Sequence, residues 1–190
     1  MAKVLLSLHG FHSSPQSLKA QQLAEYIATH HPETTFICPQ LPCLPEQMWQ
    51  LIESIFEKHE SDDIGVVGSS LGGYLATKVS EVYNSNVVLV NPAVTPYLLL
   101  QIYAGKQIHP YTGKEYFIDE NYMKQLKLLD IKSITTPTNS WVLLQQGDEV
   151  LDYQHATNKY QGCKITCELG GDHSFVGFER FIPDIIKFLF

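Results

Sequence analysis

A short apolar run, Ile64-Gly65-Val66-Val67, leads straight into Gly68-Ser69-Ser70-Leu71-Gly72-Gly73, and a helix-like stretch from Tyr74 to Val82 follows. Few local structures accommodate that order. The chain must turn sharply out of a buried strand into a helix, with a Gly-x-Ser-x-Gly pattern at the turn. A serine at such an apex projects clear of the backbone only if its flanks carry no obstructing side chains. Gly68 and Gly72, two positions before and after Ser70, meet that condition. A glycine-rich turn that merely packs a helix on a strand would look the same, so the meaning of Ser70 rests on what else the chain supplies.

The same strand-then-helix alternation fills most of the chain. Val4 to Leu8 is apolar but for one serine, and Ala20, Leu23, Ala24 and Ile27 then recur at helical spacing. Ser14-Pro15 reads as the cap and first-turn proline of that helix. Phe36-Ile37-Cys38 is a short strand closed by Pro39, and Met48, Leu51, Ile52, Ile55 and Phe56 form an amphipathic stripe. Val87 to Val90 is a buried strand stopped by Asn91-Pro92. Trp141 to Gln146 and Lys164 to Glu168 are two more, and Ile182, Ile185, Ile186 and Leu189 stripe a C-terminal helix. Uninterrupted apolar strands need cover on both faces. The pattern therefore predicts an α/β three-layer sandwich, with about six mainly parallel strands, helices on both sides and right-handed crossovers. At 190 residues, the expected organisation is one domain, 1–190.

Residues 92–140 break the alternation. They hold Tyr97, Tyr103, Tyr111, Tyr116 and Phe117, a turn at Thr112-Gly113, and helical patterns near Tyr97–Tyr103 and Asp119–Leu129. An insertion of this length between two strands usually has its own task. It is expected to cap a substrate site, with a satellite packing layer as the plainer alternative.

Several functions are disfavoured outright. A net charge of −7, with no basic block, gives nucleic acid or an anionic membrane no electrostatic help. No apolar run approaches the length of a membrane span, and the N-terminal Met1 to Leu6 enters a strand at once rather than forming a signal peptide. A cytoplasmic location is expected. Cys38, Cys43, Cys163 and Cys167 form no Cys-x-x-Cys pair and are read as reduced thiols. The eight histidines show no metal-ligand spacing, so neither metal nor cofactor is expected.

A serine hydroxyl is a poor nucleophile near neutral pH unless a base is positioned beside it, and the base in turn needs an orienting carboxylate. On an α/β sheet these follow the chain order serine, acid, histidine. The chain supplies Ser70 after the third strand. Asp148 follows the fifth, in Gln146-Gly147-Asp148-Glu149, and His173 follows the sixth, in Gly170-Gly171-Asp172-His173. In a parallel sheet all three loops meet at the carboxyl edge. Asp152 is a rival acid, although it fits better as the cap of a helix starting at Tyr153. Asp172 adjoins His173 too closely to orient its ring and is read as loop structure. A developing oxyanion needs two backbone donors. Leu71 N–H, after the serine, and Phe11 N–H, in the loop His9-Gly10-Phe11, are the candidates. His9 is read as structural.

Leu8-His9-Gly10-Phe11 with Ser13-Ser14-Pro15, Gly68 to Gly73, Asn91-Pro92-Ala93, Pro110-Tyr111-Thr112-Gly113, Gly147 to Tyr153, and Gly170 to His173 with Phe175 to Glu179 fall in one order along the chain. This set resembles the bacterial YqiA-like esterases, small members of the α/β-hydrolase superfamily. The resemblance spans nearly the whole chain. It implies an α/β-hydrolase fold and a cofactor-independent cytoplasmic serine esterase acting on small acyl esters or thioesters. Ser70 would be the nucleophile, Asp148 the acid and His173 the base. The alternative is a catalytically silent module that keeps the fold and pocket to bind a small ligand.

Overall fold

The computed structural model describes every residue, Met1–Phe190. In chain order the elements are β1 (Lys3–Leu8), α1 (Leu18–His30), β2 (Thr35–Ile37), α2 (Pro45–Lys58), β3 (Asp63–Ser69), α3 (Leu71–Tyr83) and β4 (Val87–Val90). Then come α4 (Pro96–Leu99), β5 (Gly105–Ile108), β6 (Glu115–Ile118), α5 (Glu120–Leu128), β7 (Ser140–Gln145), α6 (Tyr153–Lys159), β8 (Lys164–Glu168) and α7 (Ile182–Leu189).

Six strands form one sheet in the order β2-β1-β3-β4-β7-β8, and every pairing in it is parallel. Successive side chains on a strand point to opposite faces, so uninterrupted apolar strands feed two cores. Val4, Leu6 and Leu8 of β1 enter one core with Val66, Leu89 and Leu144. Leu5 enters the other with Val67, Val88 and Leu143. The first core is closed by α2, α3, α5 and α6, through residues such as Ile52, Leu75, Leu126 and Ala156. The second is closed by α1 and α7, through Leu23, Ile27, Ile182 and Ile185. The result is the three-layer α/β sandwich expected from the sequence.

After β1 the chain runs outward to β2, then returns past β1 to β3 and continues to the far edge. This reversal leaves a crevice between the loops after β1 and β3, where sheets of this kind hold their ligands.

The segment between β4 and β7 is more structured than its sequence suggests. The expected helix near Tyr97–Tyr103 is a single α-turn, α4, running into a 3-10 turn at Leu100–Tyr103. The expected Thr112-Gly113 turn sits at the tip of an antiparallel hairpin, β5–β6, that the sequence analysis does not contain. Its strands are four residues each: β5 is almost wholly exposed, and β6 buries Tyr116 and Ile118 but has the apolar Phe117 on its exposed face, so neither gives a readable alternating signal. Asp119 caps α5 by accepting the Tyr122 N–H at 2.9 Å. The segment is tied to the body by Tyr74 Oη, which donates to the Leu126 carbonyl at 2.6 Å, and by an ion pair of 3.0 Å between Lys159 and Asp130.

One local expectation fails. Ser14-Pro15 does not start α1; the helix begins at Leu18 with Ser17 as its N-cap. Ser14 is fully buried, and its hydroxyl accepts the Gln16 N–H while its carbonyl accepts the Ser17 N–H. Those bonds form a separate turn that carries the chain out of the β1 loop before the helix can begin. The four cysteines are all unpaired. No helix is long and apolar enough to cross a membrane.

Candidate active site

Ser70 sits between β3 and α3 with φ 55° and ψ −117°, a backbone conformation that costs energy for any residue with a side chain. Its surroundings hold it there. The Ser70 N–H donates to the Val90 carbonyl at 3.0 Å, and its own carbonyl accepts the N–H groups of Gly73 and Ala93, each at 3.0 Å. The two flanking glycines are required by space. A Cβ on Gly68 would collide with the backbone of Gly72, and one on Gly72 would collide with the Leu8 carbonyl. The bend thus wedges α3 against the end of β1.

The structure brings Ser70, His173 and Asp148 together. His173 Nε2 lies 3.1 Å from Ser70 Oγ, and His173 Nδ1 lies 2.8 Å from Asp148 Oδ2. Asp148 Oδ1 accepts the N–H groups of Val150 and Leu151, both at 2.8 Å, and the side chain is 2 % exposed. A buried carboxylate so satisfied fixes the proton of the imidazole on Nδ1, and Nε2 is left to accept from the serine hydroxyl. Asp152 is elsewhere, capping α6 by accepting the Gln154 N–H at 2.9 Å. Asp172 is loop structure as expected, its N–H donating to Gln145 Oε1 at 3.2 Å.

The loop after β1 presses against the serine. A Cβ on Gly10 would stand 3.2 Å from Ser70 Cβ, so the chain passes in contact with the elbow. Neither the Phe11 N–H nor the Leu71 N–H donates to any protein acceptor, which leaves both free for an oxygen at this crevice. His9 is buried beneath the loop. Its Nε2 accepts the Leu41 N–H at 3.1 Å and its Nδ1 donates to the Gly10 carbonyl at 3.0 Å, a neutral tautomer. Burial accordingly pushes its pKa below the usual histidine value.

Several residues that shape the site carried no sequence signal. His12 has φ 52°, stacks on Phe11 with ring centroids 3.9 Å apart, and bonds to Tyr116 Oη at 2.7 Å through Nε2. It thereby ties the Phe11 loop to the β5–β6 hairpin. Asn91, also in the left-handed region at φ 40°, accepts the Gln145 N–H and donates to the carbonyls of Asp172 and His173. Gln145 is 3 % exposed. Its Oε1 accepts the Asp172 and Val176 N–H groups, and its Nε2 donates to Glu168 and to the Val176 carbonyl. Glu149 accepts the His173 N–H at 3.0 Å, and backbone N–H groups, its own and that of His173, hold its carboxyl below the ordinary range. Of these, the sequence pointed only to Asn91, as the residue stopping β4, and to Glu149, within the block Gly147 to Tyr153.

Two clefts open from Ser70 and His173. One, of about 310 Å³, is mainly apolar, walled by Leu71, Val150 and Leu151 and, from the insertion, by Pro96, Leu100 and Ile102. The other, of about 380 Å³, is more polar and runs past Gly10 to Ser17, Lys19 and Ser174. No cluster of three or more His, Cys, Asp or Glu side chains is placed to hold a metal ion.

Sheet order, elbow and crevice together define an α/β-hydrolase fold. The chain belongs to the uncharacterised protein family UPF0227, the YqiA family, which matches it over residues 4–190. Solved structures agree on the fold. Est1E from Butyrivibrio proteoclasticus superposes with a TM-score of 0.76 at 13% identity, over 98% of this chain and 86% of that one. Mouse alpha/beta hydrolase domain-containing protein 10 gives 0.72 at 19%, over 98% and 91%. An esterase from Pyrococcus furiosus gives 0.65 at 16%, over 99% and 80%.

Proposed function

We propose that the chain is a serine hydrolase that cleaves carboxylic esters or thioesters through an acyl-enzyme, without a cofactor. The observation that carries this reading is the hydrogen-bonded line from Asp148 through His173 to Ser70, at 2.8 and 3.1 Å. In the first half-reaction Ser70 Oγ attacks the carbonyl carbon while His173 Nε2 takes the hydroxyl proton. The resulting oxyanion is held by the N–H groups of Phe11 and Leu71. Collapse expels the alcohol or thiol, which leaves with the proton from His173. In the second half, water gives a proton to His173 and attacks the acyl carbon. The acid departs and the proton returns to Ser70. Asp148 holds the imidazole tautomer and stabilises its charged form throughout. The insertion at 92–140 serves as a small cap, because its apolar side chains wall the 310 Å³ cleft and suit an acyl chain. The Est1E fold neighbour, which has been solved with ferulic acid bound, is consistent with small carboxylic substrates on this scaffold.

The test is Ser70→Ala assayed on an activated short-chain ester, with the purified protein's Tm as control. Turnover is expected to fall by at least about three orders of magnitude with the fold intact. A fluorophosphonate probe should label the parent chain and not the variant. Retained turnover in Ser70→Ala, or a parent chain that resists labelling, refutes the assignment.

A further inference from the structure

Within the polar cleft, Lys19 has no role in the chemistry just described. It sits in the first turn of α1, and its ammonium donates to the Ser174 carbonyl at 2.7 Å. That is its only protein hydrogen bond and it forms no ion pair, so two of its three donors have no protein partner. Burial lowers its pKa, while Asp172 and Asp148 act from a distance to keep it charged. A partly desolvated cation with no carboxylate in contact is costly unless an anion arrives to meet it. No Asp or Glu lines the cleft, although the whole chain carries a net charge of −7. Ser13, Ser17 and Tyr111 add hydroxyl groups along the same wall. The opposite cleft is walled mainly by apolar side chains, with His12, Tyr103 and His173 as its polar groups beyond Ser70, and no Lys or Arg in it would meet an anion. The two clefts therefore ask for different halves of one substrate.

Building on the proposed hydrolase reading, we infer that Lys19 forms an anion subsite for the leaving group: the ester or thioester cleaved here bears a carboxylate or phosphate on its alcohol or thiol side. The acyl chain lies in the apolar cleft, the scissile carbonyl at Ser70, and the anionic group reaches Lys19. Lys19 also steadies the Ser174 carbonyl, next to His173, so removing it slows any substrate to some degree. The informative quantity is consequently a ratio between two substrates.

The experiment uses the full chain with two probes, a nitrophenyl butyrate and the same ester carrying a ring carboxylate. The kcat/KM ratio, charged over neutral, is measured for the parent chain and for Lys19→Gln, Lys19→Arg and Lys19→Glu. It is expected to fall about ten-fold in Lys19→Gln and further in Lys19→Glu, with Lys19→Arg within about three-fold of the parent. Should the variants fail to fold, the parent chain still decides, because its ratio should decline as salt is raised. A ratio that is unchanged by the substitutions, or that in the parent does not respond to salt, overturns the anion subsite while leaving the esterase intact. Loss of the hydrolase reading looks different: neither ester is turned over by the parent, or Ser70→Ala turns over both.

Discussion

Ser70 and His173 approach within 3.1 Å of each other, yet they are held by opposite means. The serine elbow is fixed by backbone. Its bonds run from main chain to main chain, and collisions at Gly68 and Gly72 leave the turn no other path. The histidine loop departs from β8 through two glycines in the left-handed region, Gly170 and Gly171, and has few main-chain bonds of its own. Side chains from elsewhere grip it instead: Asn91, Gln145, Glu149 and Lys19. The position of Ser70 is therefore a property of the fold, whereas the position of His173 is a property of a hydrogen-bond network that single substitutions can loosen.

The sharpest way to break that contrast is at Gly72. In Gly72→Ala the new methyl group meets the carbonyl of Leu8, so α3 or β1 must move. Both are buried central elements, and a loss of at least about 3 kcal/mol is expected, read as a large fall in Tm or as insoluble protein. A variant with near-parental Tm and normal probe labelling at Ser70 would show that the elbow has slack, and the contrast with the histidine loop would collapse.

Gln145→Leu probes the other side. The change keeps the volume roughly constant but strands the N–H groups of Asp172 and Val176 in a buried setting. The loop should shift while the elbow stays. Turnover of a neutral ester is expected to drop about 10- to 100-fold, mainly in kcat, with a much smaller change in Tm than in Gly72→Ala. Gln145→Glu keeps the acceptor but turns the donor that meets Glu168 and the Val176 carbonyl into a second acceptor, so it should not recover the loss. Full activity in Gln145→Leu would mean that Asn91 and Glu149 suffice to place His173.

The same contrast explains how much was legible in the sequence. The elbow is written in consecutive residues, and the strand-helix alternation reports burial through hydrophobic periodicity, so the sheet and Ser70 could be read directly. Asp148 and His173 followed from topology, since each comes just after a strand in a parallel sheet. Their supports could not be read. Glu149 is 24 residues from His173, Asn91 is 82 away, and Lys19 is 155 from Ser174. No local rule links a glutamine at the end of β7 to an N–H in the loop after β8. The β5–β6 hairpin was invisible for a different reason: β5 is almost wholly exposed, and β6, although it sends Tyr116 and Ile118 into the core, is only four residues long with the apolar Phe117 on its exposed face, which hides the alternation.

A third support, beneath the Phe11 loop, titrates. Burial lowers the pKa of His9, His12 and His109 below the ordinary 6.5, and His109 further disfavours charge on the other two. Their bonds suit neutral rings: His9 Nε2 accepts from Leu41 N–H, and His109 Nδ1 accepts from the Tyr111 and Thr112 N–H groups at 3.3 Å. As pH falls through 6.5 the unfolded chain takes up protons on these residues before the folded chain does. Stability is then lost on going from about pH 7 towards pH 5, and the loss levels off below the folded-state values. The carboxyls held low, Glu149 and Glu168, act in the same direction but only near and below their ordinary value of 4.5, so the two windows separate. Thermal melts across this range should show a modest fall, the smallest effect of the three, and His109→Gln should flatten it. Hydrogen exchange should place the loosening in the Phe11 loop and the β5–β6 hairpin, leaving the Ser70 elbow protected. Early exposure of the elbow instead would mean that Ser70 and the Phe11 loop open as one unit, and that the backbone-held region is no more independent than the side-chain-held one.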